Sequence, residues 1–594
     1  SGGTGHSPYV QFTNATAGQK YKIQALFKER CCNRYFDVYV DGTKIVDDFK
    51  PQLSGGNGGS TGRYLTYQFE ASSSNVMFRM SGRSSENGGP RLHGNDVNPI
   101  LNAISVEEVD AGAALNNLSI TANQFSAQAI EVGGDLTVTN SGNSTISGVI
   151  SGDTALIKAG SGQLTTSANN TYTGGTTVSA GTLFGGEASR SNDVFGTGSI
   201  SVASGATLWV DRSDDGALTN ALTLNGGTLR GTNGFGQYWD GNIALGAHST
   251  IKAANNFYID GVISGSSKNL TKTGNGTVIL RGTNTYSGTT TVSAGTLNIG
   301  GSGSLGSGTY AGNISNSGTF TYASSTAQTL SGVISGSGAV VSSGSGAITL
   351  SGTNTYTGTT TITGGGNLVG GNIAAFGGVL SPTIISNSTS DQFSLASGIS
   401  LAGLRMQGPV RLNSGITTIE NQTYTGDVVV GAGSRASPVE FTSLLGDIQF
   451  LGTLKGQGNA KNRSMTAVAN GNVTYGDRVG YAFNLETVDP TNTADSFYKM
   501  TTTANTITLK GDVMTYEEQV YNGDVLIGST GSNGFTRTVL SMDPKVIFNG
   551  KVNDTVKGRH SLIAKAVEID RGVNSIPTVQ FKSTVGSIKA LKSY

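Results

Sequence analysis

Apolar residues follow two patterns along the chain. Between residues 9 and 109 they alternate or run over strand length, as in Tyr21-Lys-Ile-Gln-Ala-Leu-Phe27, Tyr35-Phe-Asp-Val-Tyr-Val40, Leu65-Thr-Tyr-Gln-Phe69, Val76-Met-Phe-Arg-Met80 and Ile100-Leu-Asn-Ala-Ile-Ser-Val106. Turn signals separate them at Asp41-Gly42, Gly55-Gly-Asn-Gly-Gly59 and Asn87-Gly-Gly-Pro90. Strands of this kind predict an antiparallel sandwich. From about residue 115 the bursts shorten, as in Val278-Ile-Leu280 and Leu297-Asn-Ile299, and small polar corners follow each one. No apolar stretch approaches the ~20 residues of a spanning helix, so no transmembrane helix is expected.

The second pattern repeats. Gly160–Leu183, Gly274–Leu297 and Gly344–Ile362 each open on Gly-x-Gly and carry Asn-Thr-Tyr at the centre, ending in Tyr172, Tyr286 and Tyr356. A Gly-Val-Ile-Ser-Gly segment precedes each block, starting at Gly148, Gly261 and Gly332. Its distance to the tyrosine is 172 − 148 = 24, 286 − 261 = 25 and 356 − 332 = 24. Such periods indicate solenoids or propellers. A propeller blade needs about 40–45 residues and four strands, whereas these bursts suit a parallel β-helix with Val, Ile, Leu or Thr inside and Gly, Asn or Ser at the corners. A ladder is therefore expected, with Tyr172, Tyr286 and Tyr356 equivalent in their coils, and likewise Val178, Val292 and Ile362.

The last third carries another repeat. Gln422-Thr-Tyr424-Thr-Gly-Asp427-Val-Val-Val430 pairs with Gln519-Val-Tyr521-Asn-Gly-Asp524-Val-Leu-Ile527, and Asp447-Ile-Gln-Phe450 with Lys545-Val-Ile-Phe548. The offsets, 521 − 424 = 97 and 548 − 450 = 98, keep register.

The Asn-Thr-Tyr blocks resemble the autotransporter-associated β-strand repeat, which implies a right-handed β-helical passenger on a bacterial surface. The Tyr424 and Tyr521 segments are similar to filamentous haemagglutinin-type adhesins, which implies the same fold and compartment. Arg34-Tyr-Phe-Asp-Val-Tyr-Val-Asp-Gly42, Val46-Asp-Asp48 and Asn98-Pro-Ile-Leu-Asn-Ala-Ile104 resemble malectin-like, galactose-binding-like jelly rolls; that resemblance implies carbohydrate binding but transfers no sugar site. The expected architecture is all-β: a jelly-roll β-sandwich over 1–110, then a long right-handed parallel β-helix. Within the helix, 111–370 holds the autotransporter repeats, 371–415 is an irregular transition, and 416–594 holds the haemagglutinin-like repeats.

Composition narrows the chemistry. The 594 residues include 89 Gly and only 13% charged residues, against about 25% in ordinary domains. The good helix formers are scarce. Acids and bases cancel at 38 each, so no nucleic-acid partner is expected. The opening Ser1-Gly2-Gly3-Thr4 lacks an initiator Met and suggests an N-terminally processed, secreted product. Cys31 and Cys32 are adjacent; a vicinal disulfide, buried thiols and an intermolecular bridge are all open. His6, His93, His248 and His560 are scattered without ligand spacing. Asp211, Asp214 and Asp215 read as a solvated loop before a calcium or acid/base site, and Asp427 and Asp524 as caps of their own turns. Phe235-Gly-Gln-Tyr-Trp-Asp240 is the densest aromatic cluster of the solenoid; Tyr238 and Trp239 could form a ligand platform or an inserted loop packed on the coil.

No catalytic, cofactor-binding or metal residues are expected, and no cofactor. The expected function is a non-enzymatic extracellular structural protein, a subunit of a bacterial surface filament. No barrel-like strands follow Lys582, and the chain stops in strand pattern at Ser587–Tyr594. Ile588, Leu591 and Tyr594 are thus the expected head-to-tail contacts of a homopolymer. The alternatives are an adhesin passenger binding glycans or neighbouring surfaces, and a secreted polysaccharide-cleaving β-helix.

Overall fold

The computed structural model of this chain describes residues 9–13, 15–27, 36–49, 63–81, 103–108, 117–186, 193–211, 217–232, 237–377, 382–431, 433–457, 463–480, 496–528, 536–542, 545–555, 560–566, 578–585 and 591–592. They fall into two compact units, Ser1–Thr296 and Leu297–Tyr594. The fold is all-β, and among the described residues the only helical turn is Gly306–Gly308. No helix there is long and apolar enough to cross a membrane.

The first unit opens with strands β1 (Tyr9–Thr13), β2 (Lys20–Phe27), β3 (Phe36–Val40), β4 (Thr43–Phe49), β5 (Arg63–Glu70), β6 (Asn75–Ser81), β7 (Ala103–Glu108) and β8 (Asn117–Ala122). All the pairings among them are antiparallel: β2 lies between β5 and β7, β6 between β1 and β3, and β3 pairs with β4. Alternation puts Val10, Phe12, Tyr21, Ile23, Phe27, Val38 and Phe78 in the interior. β8 is the joint: it is antiparallel to β1 and parallel to Leu136–Asn140.

Beyond β8 the ladders among the described residues of this unit are parallel and link one coil to the next, apart from one isolated antiparallel bridge between Ala203 and Gly226. One inward column runs Leu118, Leu136, Leu156, Thr176, Ile200, Leu222, Ile243 and Ile263 in register. A second face carries the inward column Leu164, Leu183, Leu208, Leu229 and Ile251. A third is built by Ala217–Leu218, Gln237–Trp239, Asn256–Ile259 and Thr277–Leu280. Coil length follows from the register: 136 − 118 = 18, 156 − 136 = 20 and 200 − 176 = 24 residues. These strands are too short to fold alone; each gains stability by burying its apolar side chains against the coils on either side.

The second unit continues the same construction by itself. Thr319–Ser324, Ala339–Ser342, Thr360–Ile362 and Thr383–Ser386 form one ladder, and Gln328–Leu330, Ala347–Leu350, Asn367–Gly370 and Gln392–Leu395 another. The irregular transition expected over 371–415 is corrected here. Thr383–Ser386, Gln392–Leu395, Ser400–Leu401, Leu404–Gln407 and Val410–Leu412 keep parallel pairing through it. Its sequence lacks the Asn-Thr-Tyr repeat, but its inward residues, among them Ile384, Phe393 and Met406, are buried like those of the coils before it. Later coils lengthen, to 500 − 465 = 35 residues between paired methionines.

The expected tyrosine ladder also needs correction. Thr171 N–H donates to the carbonyl of Ile150, a strand that pairs with Ile130–Glu131. Tyr286 N–H donates to Ile263, which belongs to the first face. The strand after Tyr172, Thr176–Val178, then joins the first face, whereas the one after Tyr286, Thr290–Val292, joins the second. The two tyrosines are alike locally but sit on different sides. The reason is geometric: the chain visits the first face five times after Tyr172 before Tyr286 reaches it, so the repeats are not a whole number of coils apart. The register neighbours are not identical either. Val178 lies between Lys158 and Val202, Val292 beside Lys272, and Ile362, in the second unit, between Ser342 and Ser386.

Candidate functional site

The repeat residues that dominate the sequence face inward. Tyr172, Tyr286 and Tyr356 are fully buried, and each hydroxyl meets the threonine four residues on, Thr176, Thr290 or Thr360, at 2.6, 2.9 and 2.7 Å. Burial pushes the Tyr356 phenol up to about 12. The asparagine of each Asn-Thr-Tyr closes a corner. Asn170, Asn284 and Asn354 accept through Oδ1 the backbone N–H of Ile150, Ile263 and Ile334 in the coil below. These groups satisfy buried backbone polarity and offer nothing to a ligand.

Two buried lysines belong to the same design. Lys158 donates to the carbonyls of Ala159, Gly160 and Ala180 at 2.6, 2.8 and 3.1 Å. Lys272 donates to Gly274, Gly276 and Ala294. Burial pushes both ammonium groups down to about 8. In the unfolded chain a lysine titrates near ~10.4, so between about pH 8 and 10 the unfolded state binds more protons and native stability rises with pH. In urea titrations at pH 7.5 and 9.5, the native chain should gain stability relative to a Lys158→Met/Lys272→Met variant. Equal pH slopes for the two proteins would remove the ammonium groups as the cause.

The aspartates singled out in the turns cap the next coil rather than their own backbone. Asp427 Oδ1 accepts the N–H of Thr453 at 3.0 Å, and Asp524 Oδ1 that of Lys551 at 2.9 Å. Asp211 follows the strand Thr207–Val210, while Asp214 and Asp215 lie outside the described residues. His248 Nδ1 accepts the Asn269 N–H at the surface, and buried His560 pairs through Nδ1 with Asp554 at 2.5 Å. His6, His93, Cys31, Cys32, Ile588 and Tyr594 lie outside the described residues; Leu591 is in the strand Leu591–Lys592, parallel to Ser561–Ala566. No group of three or more metal-binding side chains occurs among the described residues.

The surface is where binding chemistry remains. Trp239 cannot be half of a platform, because it is wholly buried, its indole N–H without a partner among the described residues. Strand alternation sends Trp239 in and Tyr238 out. Tyr238 stacks instead on Tyr258 of the next coil, 4.8 Å away and 11° from parallel, and the Arg281 guanidinium lies 4.2 Å from the Tyr258 centroid. Arg281 reaches Asp260 at 3.5 Å. The Asp240 carboxyl is raised first by burial, then by the charge of Asp260, against the pull of Arg281.

A second outward row escaped the sequence reading. Phe184 and Trp209 approach to 4.4 Å between centroids, and the Arg230 guanidinium sits 3.7 Å from the Trp209 ring. These residues are 209 − 184 = 25 and 230 − 209 = 21 apart in sequence, one coil each. The available signal was the recurring triplet Thr182-Leu-Phe184, Thr207-Leu-Trp209, Thr228-Leu-Arg230, Thr250-Ile-Lys252, whose middle residue points in and whose flanks point out.

Residues 156–183, 270–299 and 341–366 match the passenger-associated-transport-repeat family. These stretches contain the buried lysines, the Gly-x-Gly turns two residues after them and the Asn-Thr-Tyr segments, with Ser342 in the lysine position of the third. The fold and its repeats fit an autotransporter β-helical passenger. A curated protein, the adhesin BmaC autotransporter of Brucella suis biovar 1 (strain 1330), is 39% identical over 153 residues, which is 25% of this chain and 4% of that relative. The chain thus spans a small part of the length of the curated relative it matches. No solved structure matches it. Within this chain the residues that the three stretches share, such as the Asn-Thr-Tyr tyrosines and the asparagines before them, are buried.

Proposed function

We propose that this chain is the β-helical part of an autotransporter-type adhesin, displayed at the bacterial cell surface and acting by attachment rather than catalysis. The observation that carries the reading is the combination of passenger repeats with outward aromatic and cationic rows held rigid by the coil stack. Likeness to a protein named an adhesin supports it. The N-terminal antiparallel sheets are proposed to form the jelly-roll carbohydrate module expected over 1–110, because two sheets with one buried face each suit that fold. Beads coated with the purified chain should adhere to epithelial cells or to bacterial biofilm matrix well above albumin-coated beads. Adhesion at the albumin level on all such surfaces would overturn the proposal.

A second reading, head-to-tail polymerisation, rests on the backbone N–H and C=O groups that any coil presents along the stack. A strictly monomeric mass by light scattering at high concentration would exclude it. The polysaccharide-cleaving alternative would draw on a carboxylate pair such as Asp240 and Asp260, which follow paired strands of adjacent coils. Product release from polysaccharides, lost on Asp240→Asn, would favour that enzyme and displace the adhesin.

A further inference from the structure

The second face of the first unit carries chemistry that the fold does not need. Its strands Thr182–Gly185, Thr207–Val210, Thr228–Gly231 and Ser249–Ala253 are in parallel register, and their outward positions form two rows. One row is made of hydroxyls, with Thr182, Thr207, Thr228 and Thr250 directly above one another. The other reads Phe184, Trp209, Arg230 and Lys252. Arg230 and Lys252 are paired directly across the ladder, and like charges in that position destabilise a sheet. Among the described residues neither has an ion-pair partner. The Arg230 Nε is buried without an acceptor. The two aromatic rings beside them are only half-buried.

We propose that this face binds a linear anionic polysaccharide lying along the coil stack, with Phe184 and Trp209 under the sugar rings and Arg230 and Lys252 on their carboxylate or sulfate groups. Rungs repeat every ~4.8 Å, close to the length of one pyranose ring, so successive sugars meet equivalent threonine hydroxyls. Arg230 is already held flat by Trp209 and presents its fork with little ordering cost. An anion here removes the repulsion between the two cations. The proposal rests on the adhesin reading only in that the polymer would be what the passenger attaches to.

The test uses the whole chain. Binding is measured by calorimetry against heparin (sulfate and carboxylate), polygalacturonate (carboxylate only) and dextran (neutral), for the native protein and for Arg230→Gln/Lys252→Gln. At least one anionic polymer should bind and dextran should not; the double variant, with native circular dichroism and melting, should bind 10-fold or more weakly. Lys510→Gln/Lys551→Gln serves as a charge-matched control and should bind as the native chain does. Equal binding of heparin and polygalacturonate assigns the contact to carboxylates, and heparin alone to sulfates. Binding unchanged in the double variant, equal binding of dextran or of duplex DNA, or no binding at all overturns the proposal. If cell adhesion persists in the double variant, this face is wrong and the adhesin reading stands; if polymer binds but nothing adheres, the reverse holds.

Discussion

Gly261→Ala is expected to destabilise the chain by about 4 kcal/mol or more, the range reserved for changes with no room to relax. A Cβ on Gly261 would lie 2.0 Å from the carbonyl oxygen of Gly241 and 2.5 Å from its carbon. Both are backbone atoms of the coil below, so no side chain can swing aside. Gly282, one coil on, would in turn place its Cβ 2.5 Å from the Gly261 carbonyl. Parting the coils here would break the parallel pairing of Ile263 with Ile243. Gly205→Ala is the control. Gly205 has φ +76° but open space around its Cβ direction, so that change should cost only the ~1–2 kcal/mol of a left-handed backbone. Urea unfolding of both variants would decide; similar midpoints for the two would show that the close approach between coils is not limiting.

Phe450→Ala should cost about 3–5 kcal/mol. Phe450 is buried between Tyr424, 5.0 Å and 7° away, and Tyr475, 5.8 Å and 7° away, with Phe441 edge-on at 5.2 Å. Removing the middle ring leaves a gap that the neighbours cannot close, because backbone pairing to both sides holds the coils at their spacing. Tyr238→Ala removes a comparable stacked ring from the outside and should cost less than ~1 kcal/mol. Chemical denaturation followed by tyrosine fluorescence measures both. A loss at Phe450 no greater than that at Tyr238 would mean that the inner stack contributes no more than surface packing.

The repeat pairs noticed in the last third belong to this inner stack. Tyr424 pairs in register with Phe450, and Tyr521 with Phe548, which stack at 5.0 Å in both cases. The offset arithmetic matched Tyr424 with Tyr521 and Phe450 with Phe548, which lie several coils apart; that each tyrosine stacks on the phenylalanine of the very next coil was visible only in the structure. The glycine of Gly-Val-Ile-Ser-Gly was legible in the sequence, since a corner without a side chain recurred at a fixed distance from Asn-Thr-Tyr.

What the sequence determined by itself is the solenoid and its interior. Inward residues must match the coil above and below, so selection for packing writes itself into the chain as a period, at Leu183, Leu208 and Leu229. The side of the coil on which each repeat falls was not written there. It depends on the summed lengths of every intervening coil, from 18 to 25 residues in the described coils of the first unit, and an error of a few residues rotates a block by a whole side. The outward rows were decided the same way. Phe184, Trp209, Arg230 and Lys252 become neighbours only because three successive coils differ in length by amounts that keep their strands in register. Nothing local requires an aromatic or a cation at those positions, since an outward side chain in a parallel ladder is held by backbone hydrogen bonds whatever its chemistry.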